Sequence, residues 1–200
     1  GMNFMGILNQ TLTTTCLVVC LTLPATSIAA PNTAHVGFTN TSGATYINST
    51  RYTTGGTGVN IGSNMSINSQ LDLTLGYRTA TLNSSTNVSY TDIGVRYRLD
   101  DATSTYFSAN KAAVASNSET LFMLGAMHHM NIGGASELVL KAGTSTSNLL
   151  DDLEFGADFS LPIMDALILN LGYQAKTTSL GKSSTTATSS GFSVSIASRF

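Results

Sequence analysis

Three histidines are the side chains of this 200-residue chain best suited to acid–base chemistry. His35 stands alone, whereas His128 and His129 are adjacent. Adjacent side chains on a strand point to opposite faces, so this pair has poor geometry for binding one metal ion. The sequence also lacks a glycine-rich phosphate loop, a dinucleotide-binding fingerprint and a histidine spacing typical of metal sites. We therefore predict no catalytic residue, no cofactor and no metal.

Asp151 and Asp152 are adjacent carboxylates that could activate water if a base lay beside them. The strand pattern described below puts no histidine at their end of the molecule. Serine is abundant, so a Ser–His pair carries no weight without geometry. We expect both aspartates to be solvated loop carboxylates.

Beyond residue 55, apolar and polar residues alternate with the period of a β-strand. In the segment 71–77 the odd positions are Leu, Leu, Leu and Tyr, and the even positions are Asp, Thr and Gly. The segments 93–99, 153–161 and 167–175 alternate in the same way. A helix would need an apolar residue at every third or fourth position. The pattern predicts an all-β fold.

The charged residues of the clearest strands all fall on the less apolar face. A wall in lipid demands this segregation, because Arg or Lys on the lipid side at mid-bilayer costs about 2–4 kcal/mol. A soluble β-sandwich also alternates, with its charges facing water. In a narrow closed barrel the charges would face the lumen, where acids and bases come close enough to pair. The predicted lumen network consists of Asp72, Arg78, Asp92, Arg96, Arg98, Lys141, Glu154, Asp158, Lys176 and Arg199.

Turn signals divide this region into about ten strands, with eight as the alternative. The predicted strands are 44–53, 56–67, 70–82, 87–99, 104–115, 119–132, 136–146, 151–161, 166–179 and 190–200. Short turns are predicted near 68–69, 100–102, 133–135 and 162–165, and longer polar links at 83–87, 116–119, 145–152 and 181–191. Alternating short and long connections are typical of an antiparallel up-and-down barrel in a membrane. The first strand could instead begin near His35, with 41–56 as a loop.

Composition excludes several classes of protein. Charged residues make up 10% of the chain, where soluble domains have about 25%. The net charge is −2 without a basic patch, so nucleic acid is not an expected partner. The two cysteines, Cys16 and Cys20, lie close to the start. If the start is removed, neither a disulfide framework nor a cysteine metal site is possible.

The first 30 residues resemble a cleaved export signal. The apolar stretch 16–23 is too short for a membrane-spanning helix and is followed by the small residues Ser27 and Ala29. We expect cleavage after Ala29 or Ala30, which gives a signal peptide over 1–30 and a barrel over 31–200. The segment lacks the usual basic residue, since no charged residue precedes Arg51. A buried N-terminal helix is the alternative.

The chain ends in Phe192-Ser-Val-Ser-Ile-Ala-Ser-Arg-Phe200. A terminal Phe preceded by apolar residues at alternate positions resembles the closing strand of bacterial outer-membrane β-barrel proteins of the small porin-like class. Ser198 departs from that pattern, because an apolar residue is usual there. The resemblance implies an assembly signal made of Phe192, Val194, Ile196 and Phe200. It also implies periplasmic chaperones and the barrel assembly machinery as partners, and outer-membrane lipid as the surroundings.

Three function classes follow. The resemblance favours a non-enzymatic integral barrel of a Gram-negative outer membrane, acting as a narrow porin-like channel or as a structural or surface protein. One alternative is an outer-membrane barrel enzyme, either a protease or a lipid-modifying enzyme. Another is a secreted soluble β-sandwich that acts as a binding module.

Overall fold

The computed structural model describes residues 32–47, 50–82, 86–114, 117–146, 152–179 and 185–200. Ten antiparallel strands form a closed barrel in which each strand pairs with the next in sequence and β10 pairs with β1. The strands are β1 Asn32–Ile47, β2 Thr50–Ser66, β3 Leu71–Leu82, β4 Thr86–Arg98, β5 Thr103–Val114, β6 Asn117–Gly133, β7 Ser136–Ser145, β8 Leu153–Met164, β9 Leu167–Ser179 and β10 Thr185–Arg199. The prediction of a ten-stranded antiparallel up-and-down barrel is confirmed, and the eight-stranded alternative is wrong. The predicted signal peptide lies outside the described residues.

The described residues contain no helix that is long and apolar enough to cross a membrane.

The strand register fixes the tilt and the width of the barrel. Paired Cα atoms followed once around the barrel from Asn32 lead back to β1 at Ala44, a stagger of 44 − 32 = 12 residues. Ten strands with this stagger tilt by about 40° and place opposite backbones about 20 Å apart. The lumen is therefore narrow enough for side chains from opposite walls to meet.

The two ends of the barrel differ. One end, the turn end, carries the connections at 67–70, 99–102, 134–135 and 165–166, together with Asn32 and Phe200. At the opposite end, strands extend into the longer links predicted at 83–87, 116–119 and 181–191, because β4, β6 and β10 begin at residues 86, 117 and 185. Two to seven residues separate the strands there. The two ends of the barrel therefore differ mainly because the strands continue past the apolar band at the end opposite the turn end.

The first predicted strand, 44–53, is wrong. Residues 32–47 and 50–66 form two strands, and the alternative start near His35 is close to the observed one. The loop proposed for 41–56 is also wrong, because residues 41–47 pair with both β10 and β2. Sequence periodicity fails here because Ser, Thr and Gly dominate both faces of these strands.

The turn predicted at 162–165 is shifted. Pro162 and Met164 belong to β8, the register slips between them, and the turn itself is formed by Asp165 and Ala166. Proline has no N–H to donate, so it is tolerated in a sheet only at edges and irregularities of this kind.

The outer face of the barrel carries an apolar band. Every strand contributes large apolar side chains that are at least 36% exposed, among them Phe38, Ile61, Tyr77, Val95, Phe107, Phe122, Leu140, Phe155, Leu171 and Val194. With tilt and stagger included, this band is about 20 Å high. Closer to the opposite end the outward positions are mostly Ser, Thr and Asn. The Leu and Tyr rows face outward, so the sandwich alternative is excluded.

Aromatic rings border the band on both sides. Six of them lie within about 6 Å of one height near the far edge of the band: Phe38, Tyr77, Phe122, Phe155, Tyr173 and Phe192. Tyr97 and Phe200 lie at the turn end. Such rings are typical of the interface between hydrocarbon and headgroups.

Candidate functional site

The lumen is the candidate site, because the described charged side chains of the wall are concentrated in it. Each of the ten strands contributes at least one lumen side chain that is no more than 9% exposed. One set that includes every strand is Thr39, Asn60, Thr74, Asp92, Ser108, Met123, Lys141, Asp158, Gln174 and Ser195. A continuous water-filled pore would leave these groups exposed. The middle of the lumen is therefore filled by side chains.

The predicted network residues all point inward. Eight of them are buried: Asp72, Arg78, Asp92, Arg96, Lys141, Glu154, Asp158 and Lys176. Arg98 and Arg199 are half-buried near the turn end. The predicted network contains four acids and six bases. Two further described acids in the lumen, Glu137 and Asp152, bring the totals to six acids and six bases. The described lumen charges therefore cancel.

Asp72 is the centre of an ion cluster near the turn end. Arg96 on the neighbouring strand donates from Nε to its Oδ2 at 3.0 Å, and Arg98 Nη2 donates to both carboxylate oxygens at 2.9 Å. Asp72 is completely buried. One carboxylate thus binds two guanidinium groups through charge-assisted hydrogen bonds, and the cluster keeps one net positive charge.

Glu154 is the centre of a second cluster, in the middle of the lumen. Tyr106 donates its hydroxyl hydrogen to Glu154 Oε1, and Lys141 Nζ lies 3.4 Å from the same oxygen. The ammonium also lies 4.6 Å from the centre of the Tyr106 ring. The sequence predicted Lys141 and Glu154 in the network but not Tyr106. The tyrosine alternates with serine and threonine on β5, and this polar context concealed its inward role.

The other predicted pairs are less direct. Asp92 lies within electrostatic range of Lys141, Arg78 and Lys176. Arg78 stacks on the Tyr90 ring, with 4.4 Å from Cζ to the ring centre. Arg199 Nη1 donates to the carbonyl of Asp165 at 3.1 Å, so this cation binds a turn.

Asp158 lies against a glycine of the neighbouring strand. Its Oδ1 would be 2.6 Å from a β-carbon added at Gly172, its Cα partner on β9. The same relationship holds for Asp92 and Gly76 on β4 and β3. Lumen glycines therefore make room for the charged side chain of the adjacent strand.

Part of the lumen is apolar, which the charge pattern did not predict. Five buried side chains form a cluster on β5, β6 and β7: Tyr106, Leu121, Met123, Met127 and Val139. This cluster explains why β6 carries apolar residues on both faces. The sequence signal was present, because residues 119–132 carry Leu, Met or Phe on both faces of the strand.

Asp152 corrects the prediction of two solvated loop carboxylates. It is 2% exposed, and Ser145 Oγ donates to its Oδ2 at 2.6 Å. The strand β7 ends with Ser145 pointing inward, and the Ser145 hydroxyl holds the Asp152 carboxylate in the lumen. Asp151 lies outside the described residues.

The two adjacent histidines separate as expected for a strand. His128 is exposed on the outer face, and His129 is buried in the lumen. His129 lies between Ser104 and Glu137, with 3.3 Å from Nε2 to Ser104 Oγ and 3.1 Å from Nδ1 to Glu137 Oε1. These three residue types in this order form the arrangement used by serine hydrolases.

Burial argues against hydrolysis at this triad. Ser104 is 0% exposed, so no substrate reaches its hydroxyl. The backbone N–H groups beside it belong to the strand pairing of β5 with β4 and β6, which leaves no pair of them for an oxyanion hole. Among the described residues no group of three or more His, Cys, Asp or Glu side chains could hold a metal ion.

The turn end of the lumen opens into a cavity of about 550 Å³. Its lining includes the charged residues Arg98, Asp100, Asp101, Glu137 and Arg199, together with His129. Asp100 Oδ1 accepts hydrogen bonds from the N–H groups of Ala102 and Thr103 at 2.8 and 2.7 Å. These bonds stabilise its charged form and lower the pKa of Asp100 below its usual value.

Comparison with known proteins gives no assignment by sequence. No family model matches the chain, and no curated protein matches it. Solved structures with similar folds include the KdgM porin, at 9% identity and a TM-score of 0.43, with 84% of this chain and 99% of that one covered. Neisserial surface protein A is 14% identical with a TM-score of 0.39, covering 84% and 97%. Ail, the attachment invasion locus protein of Yersinia pestis, is 10% identical with a TM-score of 0.39, covering 86% and 99%.

At these identities and TM-scores the similarity carries no information about function, which has to come from the residues of this chain. The four residues of the predicted assembly signal all lie on the outer face of β10 or just after it, and each is at least 48% exposed. They are Phe192, Val194, Ile196 and Phe200. Their strand closes the barrel by pairing with β1.

Proposed function

We propose that this chain is a non-enzymatic integral barrel of a bacterial outer membrane, with a closed lumen and a structural or surface role. The observation that carries the proposal is the contrast between the two faces of one wall. The outer face is an apolar band about 20 Å high, and the inner face holds six acids and six bases among the described side chains.

The outer face supports insertion in lipid. Large apolar side chains on all ten strands are exposed, and in water such a surface would aggregate. Transmembrane barrels carry an outward apolar band of about 25 Å flanked by aromatic rings. The polar continuation of the strands past the band then projects into the aqueous phase outside the cell.

The inner face supports a closed lumen. The Asp72 and Glu154 clusters and the apolar cluster around Met123 fill the lumen beside β3 to β8. On the other four strands, the lumen side chains Thr39, Asn60, Gln174 and Ser195 are also buried. In so narrow a lumen each ion pair joins side chains of different strands. Moving one charged side chain would leave its partner without a counter-charge. A filled lumen of this kind favours a role in stabilising the envelope, or in exposing the barrel rim at the cell surface, over a role in solute transport.

A narrow channel is the second candidate. The cavity at the turn end favours it, because charged groups there already line an open entrance to the lumen. Conduction would require the Tyr106, Lys141 and Glu154 contacts to separate, since they lie across the middle.

Export and assembly follow from the same proposal. The segment 1–30 acts as the cleaved signal peptide, chaperones escort the chain across the periplasm, and the assembly machinery recognises Phe192, Val194, Ile196 and Phe200. Absence of catalysis is supported by the burial of Ser104. A fluorophosphonate probe that labels Ser104 in the folded protein would contradict this part.

Electrophoresis and conductance test the proposal. Protein refolded in detergent should migrate differently when unboiled, and the folded form should show no current steps in planar bilayers. A Tyr106→Gly variant that keeps the mobility shift serves as the positive control for conductance. Its enlarged lumen should conduct ions. Current steps from the unmodified protein would show that the lumen conducts, and the narrow channel would then be the correct function. Protein that stays folded and dispersed in plain buffer would overturn the membrane assignment.

A further inference from the structure

The cavity at the turn end is unlike the filled lumen beyond it. Its volume of about 550 Å³ lies within the range of small-molecule sites. Neutral polar side chains, Ser69, Gln70, Asn131 and Ser136, lie between the charged ones. None of these residues belongs to the proposed membrane-contacting surface, so the cavity is open to the solution on that side.

The cation Arg199 and the two aspartates of the β4–β5 turn lie on opposite walls of this cavity. Arg199 is near the end of β10. Glu137 is at the start of β7, and Asp100 and Asp101 lie in the turn between β4 and β5. In a ring of ten strands β5 faces β10, so Asp100 and Asp101 lie across the mouth from Arg199, whereas Glu137 lies three strands from it. Arg98 adds a second cation on the β4 side.

The charged groups are positioned by the barrel itself. Arg199 is held by the carbonyl of Asp165 at 3.1 Å, and its Nε is a buried donor without a partner among the described residues. Glu137 is held through Oε1 by His129 at 3.1 Å, and its Oε2 is a buried acceptor likewise without a described partner. Groups fixed before binding lose less entropy when a ligand arrives.

We propose that this cavity binds short zwitterionic peptides, with the ligand carboxylate at Arg199 and the ligand ammonium at Glu137 and Asp101. A simple anion would meet the three carboxylates, and a simple cation would meet the two arginines. A ligand with one charge of each sign at its two ends satisfies both walls. Free peptides and the peptide chains of a cell-wall polymer share this chemistry.

Ligand-observed NMR on the folded protein in detergent tests the site, with tri-alanine as the probe. Tri-alanine should show saturation transfer, and acetylation of its amine or amidation of its carboxylate should each weaken binding about fivefold or more. Arg199→Gln and Glu137→Gln should weaken binding similarly. Arg51→Gln, an exposed position on β2 toward the opposite end, is the matched control and should bind normally.

Two comparisons complete the experiment. A soluble cell-wall fragment that carries a peptide chain should bind at least as well as tri-alanine, and tighter binding would assign the polymer as the ligand. Equal binding would assign the free peptide end. Equal binding of tri-alanine and its doubly capped form, or no loss in either Arg199→Gln or Glu137→Gln, would overturn the proposal. The mobility shift of unboiled protein confirms that each variant is folded.

Discussion

Asp72 on β3 and Arg96 on β4 are Cα partners, and their side chains meet inside the barrel with 3.0 Å between Arg96 Nε and Asp72 Oδ2. Arg98, two residues along β4, binds the same carboxylate. The pairing therefore follows directly from strand register: once β3 and β4 align, two arginines on one face of β4 share one acid.

Replacing Asp72 by Asn should destabilise the barrel strongly. The change leaves two guanidinium groups in the lumen without their counter-charge, and removing one partner of a buried pair costs about 3–5 kcal/mol. Urea unfolding in lipid vesicles measures the free energy. Asp101→Asn, in an exposed turn, is the control and should change it by less than about 0.5 kcal/mol. A loss below about 1 kcal/mol for Asp72→Asn would argue against the ion cluster.

Gly125 should not tolerate alanine. A β-carbon there would lie 2.6 Å from Tyr106 Oη and 2.7 Å from Gly143 Cα, and overpacking of this kind costs about 1–3 kcal/mol. Gly156→Ala is the matched lumen control, because its nearest atoms would be 3.6 Å away. The same unfolding assay compares the two variants. Equal stabilities would mean that Tyr106 does not lie over Gly125.

An arginine on the outer face should report depth in the membrane. Leu171→Arg places a charge within the apolar band, where it should cost about 2–4 kcal/mol. Thr177→Arg, six residues farther on the same face of β9, lies past the band and should cost about 0–1 kcal/mol. Refolding yield and unfolding free energy in vesicles measure both. If the barrel wall faced water instead of lipid, the two substitutions would change the unfolding free energy equally.

Asp100 should stabilise the turn between β4 and β5 in a pH-dependent way. Because hydrogen bonds lower its pKa in the folded state, its contribution is present above the unfolded pKa of about 4 and is lost as the pH falls through the lower folded value. Asp100→Ala should therefore lower the urea midpoint at pH 7 and lower it less at pH 2. A loss that is the same at both pH values would contradict the assignment.

Strand parity explains how much of this structure the sequence predicts. On β3, β4, β8 and β9 the apolar rows are regular, and the ten predicted network residues all face the lumen. Parity fails on β1 and β2, because residues past the apolar band are polar on both faces and lose the alternation. Polar context also hid Tyr106, which lies among serines and threonines.

Contacts between strands depend on register, which a single sequence does not contain. The sequence predicted that the acids of the lumen, Asp72 among them, would pair with its lysines and arginines. The choice of Arg96 and Arg98 requires the alignment of β3 with β4. The approach of Ser104 to His129 and Glu137 likewise depends on β5, β6 and β7 together. Asp152 was misplaced because its burial accompanies a contact with Ser145 that strand parity does not reveal.

Fluorescence of single tryptophans tests most directly whether the outer wall contacts hydrocarbon, since the chain has no tryptophan of its own. Leu171→Trp lies within the band, and Thr188→Trp lies outward past it on β10. In vesicles whose acyl chains carry bromine, the account predicts blue-shifted, strongly quenched emission from Leu171→Trp and unquenched emission from Thr188→Trp. Unquenched, red-shifted emission from Leu171→Trp in folded protein would contradict it.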